Sequence, residues 1–257
     1  MTLLHNDYES VLRSIDDAGI CRLTLNRPEK LNALSEQALD VFLGHIHSIK
    51  DDSKVRVVVI EANGKAFSAG HDLAELHEKA DEKYYRHFFK KSSTLMLSLL
   101  RLPQPVIACV QGMATAAGCQ LVANCDLAIA STSARFAVSG INLGLFCYTP
   151  GVAISRNISR KHSLEMLMTG DFIDANTAVE YGLVNRAVPA DILALEVTTL
   201  AQKLCGKPRQ ALAAGKENFY QHIHQPYDTA LESAGEAMAR NLMFPETRKR
   251  IEEFLGY

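Results

Sequence analysis

Apolar residues along this chain recur with two different periods. At 20–26 (ICRLTLN) and 55–61 (VRVVVIE), β-branched runs lie between turn residues: Gly19, the Asn26-Arg27-Pro28 step and Asn63-Gly64. Both segments are predicted strands. Between them Leu39, Phe42, Leu43, Ile46 and Ile49 fall on one side of a 3.6-residue repeat, which predicts a helix over 35–50. A second round follows, with a long amphipathic segment at 82–101 and a Pro-bounded apolar run at 105–110. A small-residue helix near 116–125 and the run DLAIA at 126–130 complete it. Strands alternating with helices predict an α/β layer with parallel pairing. After about residue 190 only helical patterns remain, at 191–206, 208–223, 227–242 and 246–255, punctuated by Gly206, Pro208, Pro226 and Pro245. The expected organisation is an α/β core over 1–195 and a helical C-terminal region over 196–257, with a soft boundary and a single functional unit.

Composition narrows the function classes. With 47% hydrophobic residues in 257, the chain can bury a full core. Its 27 Lys+Arg against 29 Asp+Glu create no field that draws it to nucleic acid or an anionic membrane. The six cysteines form no CxxC pair and sit mostly in apolar stretches such as VIACVQG, where a thiol acts as a small hydrophobe. No metal is expected, since none of the nine histidines stands in an HxxxH or HxH pair beside carboxylates. The first ten residues lack a basic-then-apolar leader pattern, and no apolar run reaches the roughly 18 residues of a membrane span. A cytoplasmic protein is expected, or a mitochondrial-matrix one if the source is eukaryotic.

Two segments offer chemistry. Asn63–Leu73 (NGKAFSAGHDL) follows a strand and precedes a helix; Gly64 and Gly70 can take positive φ and Asp72 can cap. Gln111–Gln120 (QGMATAAGCQ) again runs from strand through small residues into a helix. A helix N-terminus presents unpaired N–H donors and partial positive charge. Two such sources together can make an oxyanion hole for a carbonyl oxygen that gains negative charge. On pattern alone, an ordinary strand-to-helix connection and close helix packing account for the same residues.

Five collinear blocks make the reading specific: NRPEKLNAL (26–34), NGKAFSAGHDL (63–73), QGMATAAGCQLVANCDLAIAS (111–131), FAVSGINLGLFCYTPG (136–151) and TGDFIDANTAVEYGLVNRAVP (169–189). In order and spacing they resemble the enoyl-CoA hydratase/isomerase (crotonase) family over about 8–255. The set TAAGCQ with GLFCYTPG is most similar to the subgroup described as enoyl-CoA hydratase domain-containing proteins. The resemblance implies a crotonase-like ββα superhelix with a helical C-terminal region, assembled as a homotrimer or a dimer of trimers. It implies an acyl-CoA thioester as substrate, with coenzyme A present as part of that substrate and no permanently bound cofactor. The backbone amides of His71 and Ala117 would form the oxyanion hole. Lys30 and Leu31, with Ala69, Gly70, Asp72 and Leu73, would flank the adenosine end of coenzyme A. A solvated surface lysine and a helix cap remain the alternatives for Lys30 and Asp72.

The chain departs from the family where hydration is catalysed. Hydratases of the family hold water between two glutamates, and those positions here are Gln120 and Gly140. Neither exchanges a proton at neutral pH. Residues 83–164 contain one carboxylate, Asp126, where composition alone would place about nine. Losing one general acid–base group costs roughly 10²–10⁴ in rate, so a poor hydratase is expected. The polar groups left near the thioester are His71, Thr115, Gln120, Ser139, Asn142, Cys147 and Tyr148. A His in the AGHD turn is similar to family members that decarboxylate methylmalonyl-CoA, although those place a tyrosine where this chain has Cys147 beside Tyr148. Cys147 is a candidate nucleophile for thioester cleavage if a base lies within reach; otherwise it is a buried inert thiol. The readings left open are a decarboxylase or thioesterase-like enzyme, a non-catalytic CoA-thioester-binding or regulatory protein, and a hydratase of fatty-acid metabolism with acids from elsewhere, such as Glu165. Phe136, Ile141, Leu143, Phe146 and Tyr148 suggest an apolar pocket wall or core. The paired substitution Gln120→Glu with Gly140→Glu is expected to create hydration.

Overall fold

The structure is a computed structural model that describes residues 9–257; the reading of the first eight residues lies outside the described part. Strand β1 (Val11–Ile15) pairs antiparallel with β2 (Ile20–Leu25), and helix α1 (Glu36–Lys50) leads into β3 (Val57–Ala62). Three turns of a spiral follow, each laying one strand in a large sheet, one strand in a small sheet, and then helix. The first is β3, β4 (Ala66–Ser68), α2 (Leu73–Glu78) and α3 (Glu82–Arg101). The second is β5 (Val106–Val110), β6 (Met113–Thr115) and α4 (Ala117–Ala123). The third is β7 (Leu127–Ser131), β8 (Arg135–Ala137), α5 (Tyr148–Asn157) and α6 (Arg160–Thr169). The chain then forms β9 (Ile173–Asp174), α7 (Ala175–Tyr181), β10 (Arg186–Val188) and four helices: α8 (Leu193–Cys205), α9 (Arg209–His222), α10 (Tyr227–Leu242) and α11 (Pro245–Leu255).

The large sheet has the order β1-β2-β3-β5-β7-β10 and is parallel beyond the first pair, as the β-α-β alternation predicts. The small sheet, β4-β6-β8-β9, escapes a periodicity argument because its strands are two or three residues long. Both faces of the central strands of the large sheet are buried. Val58, Ile60, Val106, Ala108 and Val110 face the main core with Phe42, Phe88 and Phe136. The alternate residues Val57, Val59, Ile107, Cys109 and Ile129 pack under Leu193, Val197 and Ala201 of α8. Full burial of each large aliphatic side chain contributes about 1.5–3 kcal/mol, which explains the continuous apolar runs of the central strands.

The boundary expected at 195/196 falls inside α8, whose buried face belongs to the sheet. Helices α9, α10 and α11 contain no buried residue. Helix α9 is tied to the core by Lys216, whose Nζ donates to the carbonyls of Leu99 and Gln104 and pairs with Asp126 at 2.7 Å. No helix is long and apolar enough among the described residues to cross a membrane.

Candidate functional site

The two predicted turns meet. Gly70 has φ +93, and a Cβ there would sit 3.0 Å from the Ala116 Cβ and 3.1 Å from the Ala117 nitrogen, so a side chain would separate them. Thr115 Oγ1 donates to the Ala69 carbonyl at 3.0 Å and fastens one turn to the other. Gly118 lets α4 lie directly on β4, since a Cβ there would come within 2.3 Å of the Ser68 carbonyl oxygen. Ala116, which precedes α4, holds φ 48 and ψ −117. A non-glycine residue in such a conformation is strained by about 1–3 kcal/mol; here it aims the first N–H of α4.

Backbone pairing leaves both amides free. His71 forms a parallel bridge with Leu34, but the bridge uses Leu34 N–H to the Gly70 carbonyl and Asp72 N–H to the Leu34 carbonyl. The His71 N–H therefore points away from the 31–34 loop. Among the described residues neither this N–H nor that of Ala117 has a protein acceptor. The arrangement fits a carbonyl oxygen that gains negative charge.

The imidazole of His71 turns toward α3 and stands edge-on to Phe88 and Phe89, with ring centroids 5.1 and 5.4 Å away. Its Nε2 is 2.8 Å from Ser92 Oγ. Burial among these rings pushes its pKa down to about 4, so the ring is neutral near pH 7. Ser92 was not among the candidates. It is a buried serine among the apolar positions Phe88, Leu95, Met96 and Leu99, and a polar residue on that face was the available signal.

The expected coenzyme A segments lie together. Ala69 N–H donates to the Leu31 carbonyl at 2.9 Å, Lys30 and Leu73 are exposed, and Leu31 and Asn32 both take left-handed φ, 51 and 54. Asn32 holds the loop by donating to the carbonyls of Asn63 and Ala66. Asp72 is engaged otherwise: it caps α2 through the Glu75 N–H and pairs with Arg27 at 3.1 Å.

At the two glutamate positions the structure separates two cases. Gln120 is 5% exposed, lies one turn along α4 from Ala117, and its Oε1 has no hydrogen-bond partner among the described residues. Gly140 leaves no room for a side chain: a Cβ would meet the Leu145 carbonyl oxygen at 2.3 Å and Cys147 Sγ at 2.9 Å. The expectation that Gly140→Glu completes a catalytic pair is thus corrected, because the backbone at 145 occupies the space. Cys147 is buried, its pKa is raised by that burial, and among the described residues no side chain hydrogen-bonds its sulfur. His71 is committed to Ser92 and supplies it no base.

Asp126 is also committed. It accepts from Val106 N–H at 2.7 Å and from Tyr220 OH at 2.8 Å besides its pair with Lys216. Glu165 lies exposed on α6. Of the residues expected as pocket wall or core, Phe136 is core, Leu143 and Tyr148 are 70% and 74% exposed, and none of the five lines the large cleft. That cleft, about 650 Å³, runs from Gln120 between α3, α5 and α9. Among the described residues no group of three His, Cys, Asp or Glu is placed to hold a metal.

The enoyl-CoA hydratase/isomerase family profile matches residues 16–254. The chain is 42% identical over 237 residues to enoyl-CoA hydratase domain-containing protein 3, mitochondrial, of Xenopus laevis, covering 92% of this chain and 81% of that protein. The human protein of the same name is 41% identical over 92% of this chain and 78% of its own length. Among solved structures, an enoyl-CoA hydratase of Mycobacterium smegmatis superposes with TM-score 0.95 at 48% identity over 96% of each chain. Human enoyl Coenzyme A hydratase domain-containing protein 3 gives 0.93 at 40% identity, over 96% of this chain and 97% of that one. With the spiral of paired strands and helices, these matches place the chain in the enoyl-CoA hydratase/isomerase family, with the crotonase fold, beside the domain-containing subgroup.

Proposed function

We propose that this protein binds an acyl-CoA thioester with the thioester oxygen between the backbone N–H groups of His71 and Ala117, and that it is a poor hydratase. The observation that carries the reading is the pair of turns pressed together at Gly70 with both N–H groups unpaired. An unmade hydrogen bond in a buried place costs about 1–3 kcal/mol per group, and a ligand oxygen shared by the two amides removes that cost. Because both donors are main-chain groups, the side chains at 71 and 117 do not decide whether the oxygen is held.

The hydration half of the family's chemistry lacks its parts. Gln120 carries no acid, Gly140 has no space for one, and Asp126 is held in an ion pair that anchors α9. Thioester cleavage by Cys147 lacks a base, and burial raises the thiol's pKa. This supports a protein that binds and polarises a thioester without moving protons at its acyl chain. Coenzyme A enters as part of the ligand, along the 30–31 and 69–73 segments, with Lys30 as the exposed cation for its phosphates. The chain assembles as a homotrimer or a dimer of trimers through its C-terminal helices.

Infrared difference spectroscopy with a carbonyl-labelled, saturated acyl-CoA tests the central contact. Binding should move the thioester C=O stretch to lower frequency in wild type and in His71→Gln alike. An unshifted band in a saturated complex contradicts the placement of the oxygen.

A further inference from the structure

The large sheet carries a second, smaller cavity on the face that α8 covers. Ile20 of β2, Val57 and Val59 of β3 and Ile107 of β5 pack under that helix, and strand alternation puts Thr24, Glu61 and Cys109 on the same face further along. Thr24 and Glu61 are register partners, and Cys109 stands beside Glu61 because Ile60 pairs with Ala108. Each of the three is the last residue but one of its strand. The row therefore lies at the carboxyl edge of parallel neighbours, where α/β sheets bind ligands. With Asn63 and Gln111 it lines a cavity of about 200 Å³, whose other walls are Ala62 and, around the start of α8, Ala190, Leu193 and Ala194.

The polar wall has acceptors to spare. Glu61 takes one hydrogen bond at each oxygen, from Arg22 at 2.8 Å and from Thr24 Oγ1 at 3.1 Å, and a carboxylate has room for about four. Gln111 spends its Nε2 on the carbonyls of Ala62, Gly64 and Ala66, and its Oε1 is buried without a donor among the described residues. Asn63 donates from Nδ2 to Asn26, and among the described residues nothing donates to its Oδ1. Arg22 is engaged by Glu61 and Thr198 and stands outside the lining. The Cys109 thiol, pushed up to about 12 chiefly by burial, stays uncharged at pH 7. Glu61 is thus the one charged side chain among the described residues of the wall. Unpaired acceptors in a protein wall mark the place of a donor. Three of them around one carboxylate match the three N–H bonds of an ammonium, whereas a hydroxyl brings one.

We propose that this cavity binds a small aliphatic primary ammonium, its N–H groups donating to Glu61, Gln111 Oε1 and Asn63 Oδ1 and its short chain lying against Ala190, Leu193 and Ala194. The site shares no residue with the proposed carbonyl site and stands or falls independently of it.

The test is isothermal titration of n-butylammonium into the full chain at pH 7 and fixed ionic strength. Two comparators run beside it: n-butanol, with one donor and no charge, and tetramethylammonium, with the charge and no donor. Wild type should bind butylammonium saturably and either comparator at least about tenfold more weakly, and Glu61→Gln should lose about tenfold of the butylammonium affinity. Ala194 is exposed, so Ala194→Phe should fold as wild type does and, by filling the cavity, abolish binding. It is the deciding variant should Glu61→Gln, deprived of its pair with Arg22, fail to fold. No saturable binding of butylammonium by wild type, equal binding of either comparator, or undiminished binding in Ala194→Phe overturns the site. Undiminished binding in a folded Glu61→Gln overturns the role of the carboxylate.

Discussion

At the scale of single residues, His71 has two parts with different tasks. Its N–H belongs to the proposed carbonyl site, while its ring fills a dry slot against Phe88 and Phe89 and bonds Ser92. The ring's pKa is about 4 in the folded chain and near 6.5 in the unfolded one. The folded state therefore binds fewer protons, and the contribution to stability is fully present above pH 6.5. It is lost as the pH falls through 6.5 toward 4, by up to about 3 kcal/mol. Urea unfolding at pH 7 and pH 5 should show this loss in wild type and a flatter profile in His71→Gln; identical slopes contradict the buried neutral ring. Gly140 gives a second prediction. Gly140→Glu should destabilise the fold by at least about 1–3 kcal/mol in thermal unfolding, because the Leu145 carbonyl must move. A variant as stable as wild type would show that the 140–147 loop yields easily.

Among elements, what the sequence made legible followed the strength of its period. The strands at 20–26 and 55–61, the helix at 35–50 and the C-terminal helices appear within a few residues of their expected bounds. The four short strands of the small sheet did not, since two or three residues cannot display alternation and their stability comes from neighbours. Of the site, the two turns were readable from their glycines and small residues. The His71–Ser92 contact and the cleft wall on α3, α5 and α9 were not, because they join elements distant in the chain. The same holds for the Lys216–Asp126 pair, 90 positions apart, which fixes α9 over the cleft. Burial lowers the pKa of Lys216 while Asp126 opposes that shift, and Tyr220 is raised by its own burial. Removing Lys216 leaves the largely buried Asp126 carboxylate with its hydrogen bonds from Val106 N–H and Tyr220 OH but without a counter-charge, so Lys216→Met should cost about 3 kcal/mol. Chemical unfolding measures it, and a loss under about 1 kcal/mol would mean that α9 is held by other contacts.

For the whole molecule, the C-terminal helices present an unbalanced surface. Tyr227, Leu231, Met238, Leu242, Phe254 and Leu255 are all more than half exposed, on helices that contain no fully buried residue. Amphipathic helices with an uncovered apolar face need a partner surface, and the proposed trimer supplies one. Light scattering on the eluting protein should give three or six times the chain mass of 28.3 kDa, and a stable monomer would contradict the assembly. Incubating the protein with crotonyl-CoA and following binding and mass together decides whether a thioester is held by two backbone amides without a proton-transferring pair. Saturable binding with the mass of the thioester unchanged is expected. Steady gain of one water at a rate typical of an enzyme would contradict it, and would mean that an acid outside Gln120 and Gly140 reaches the acyl chain.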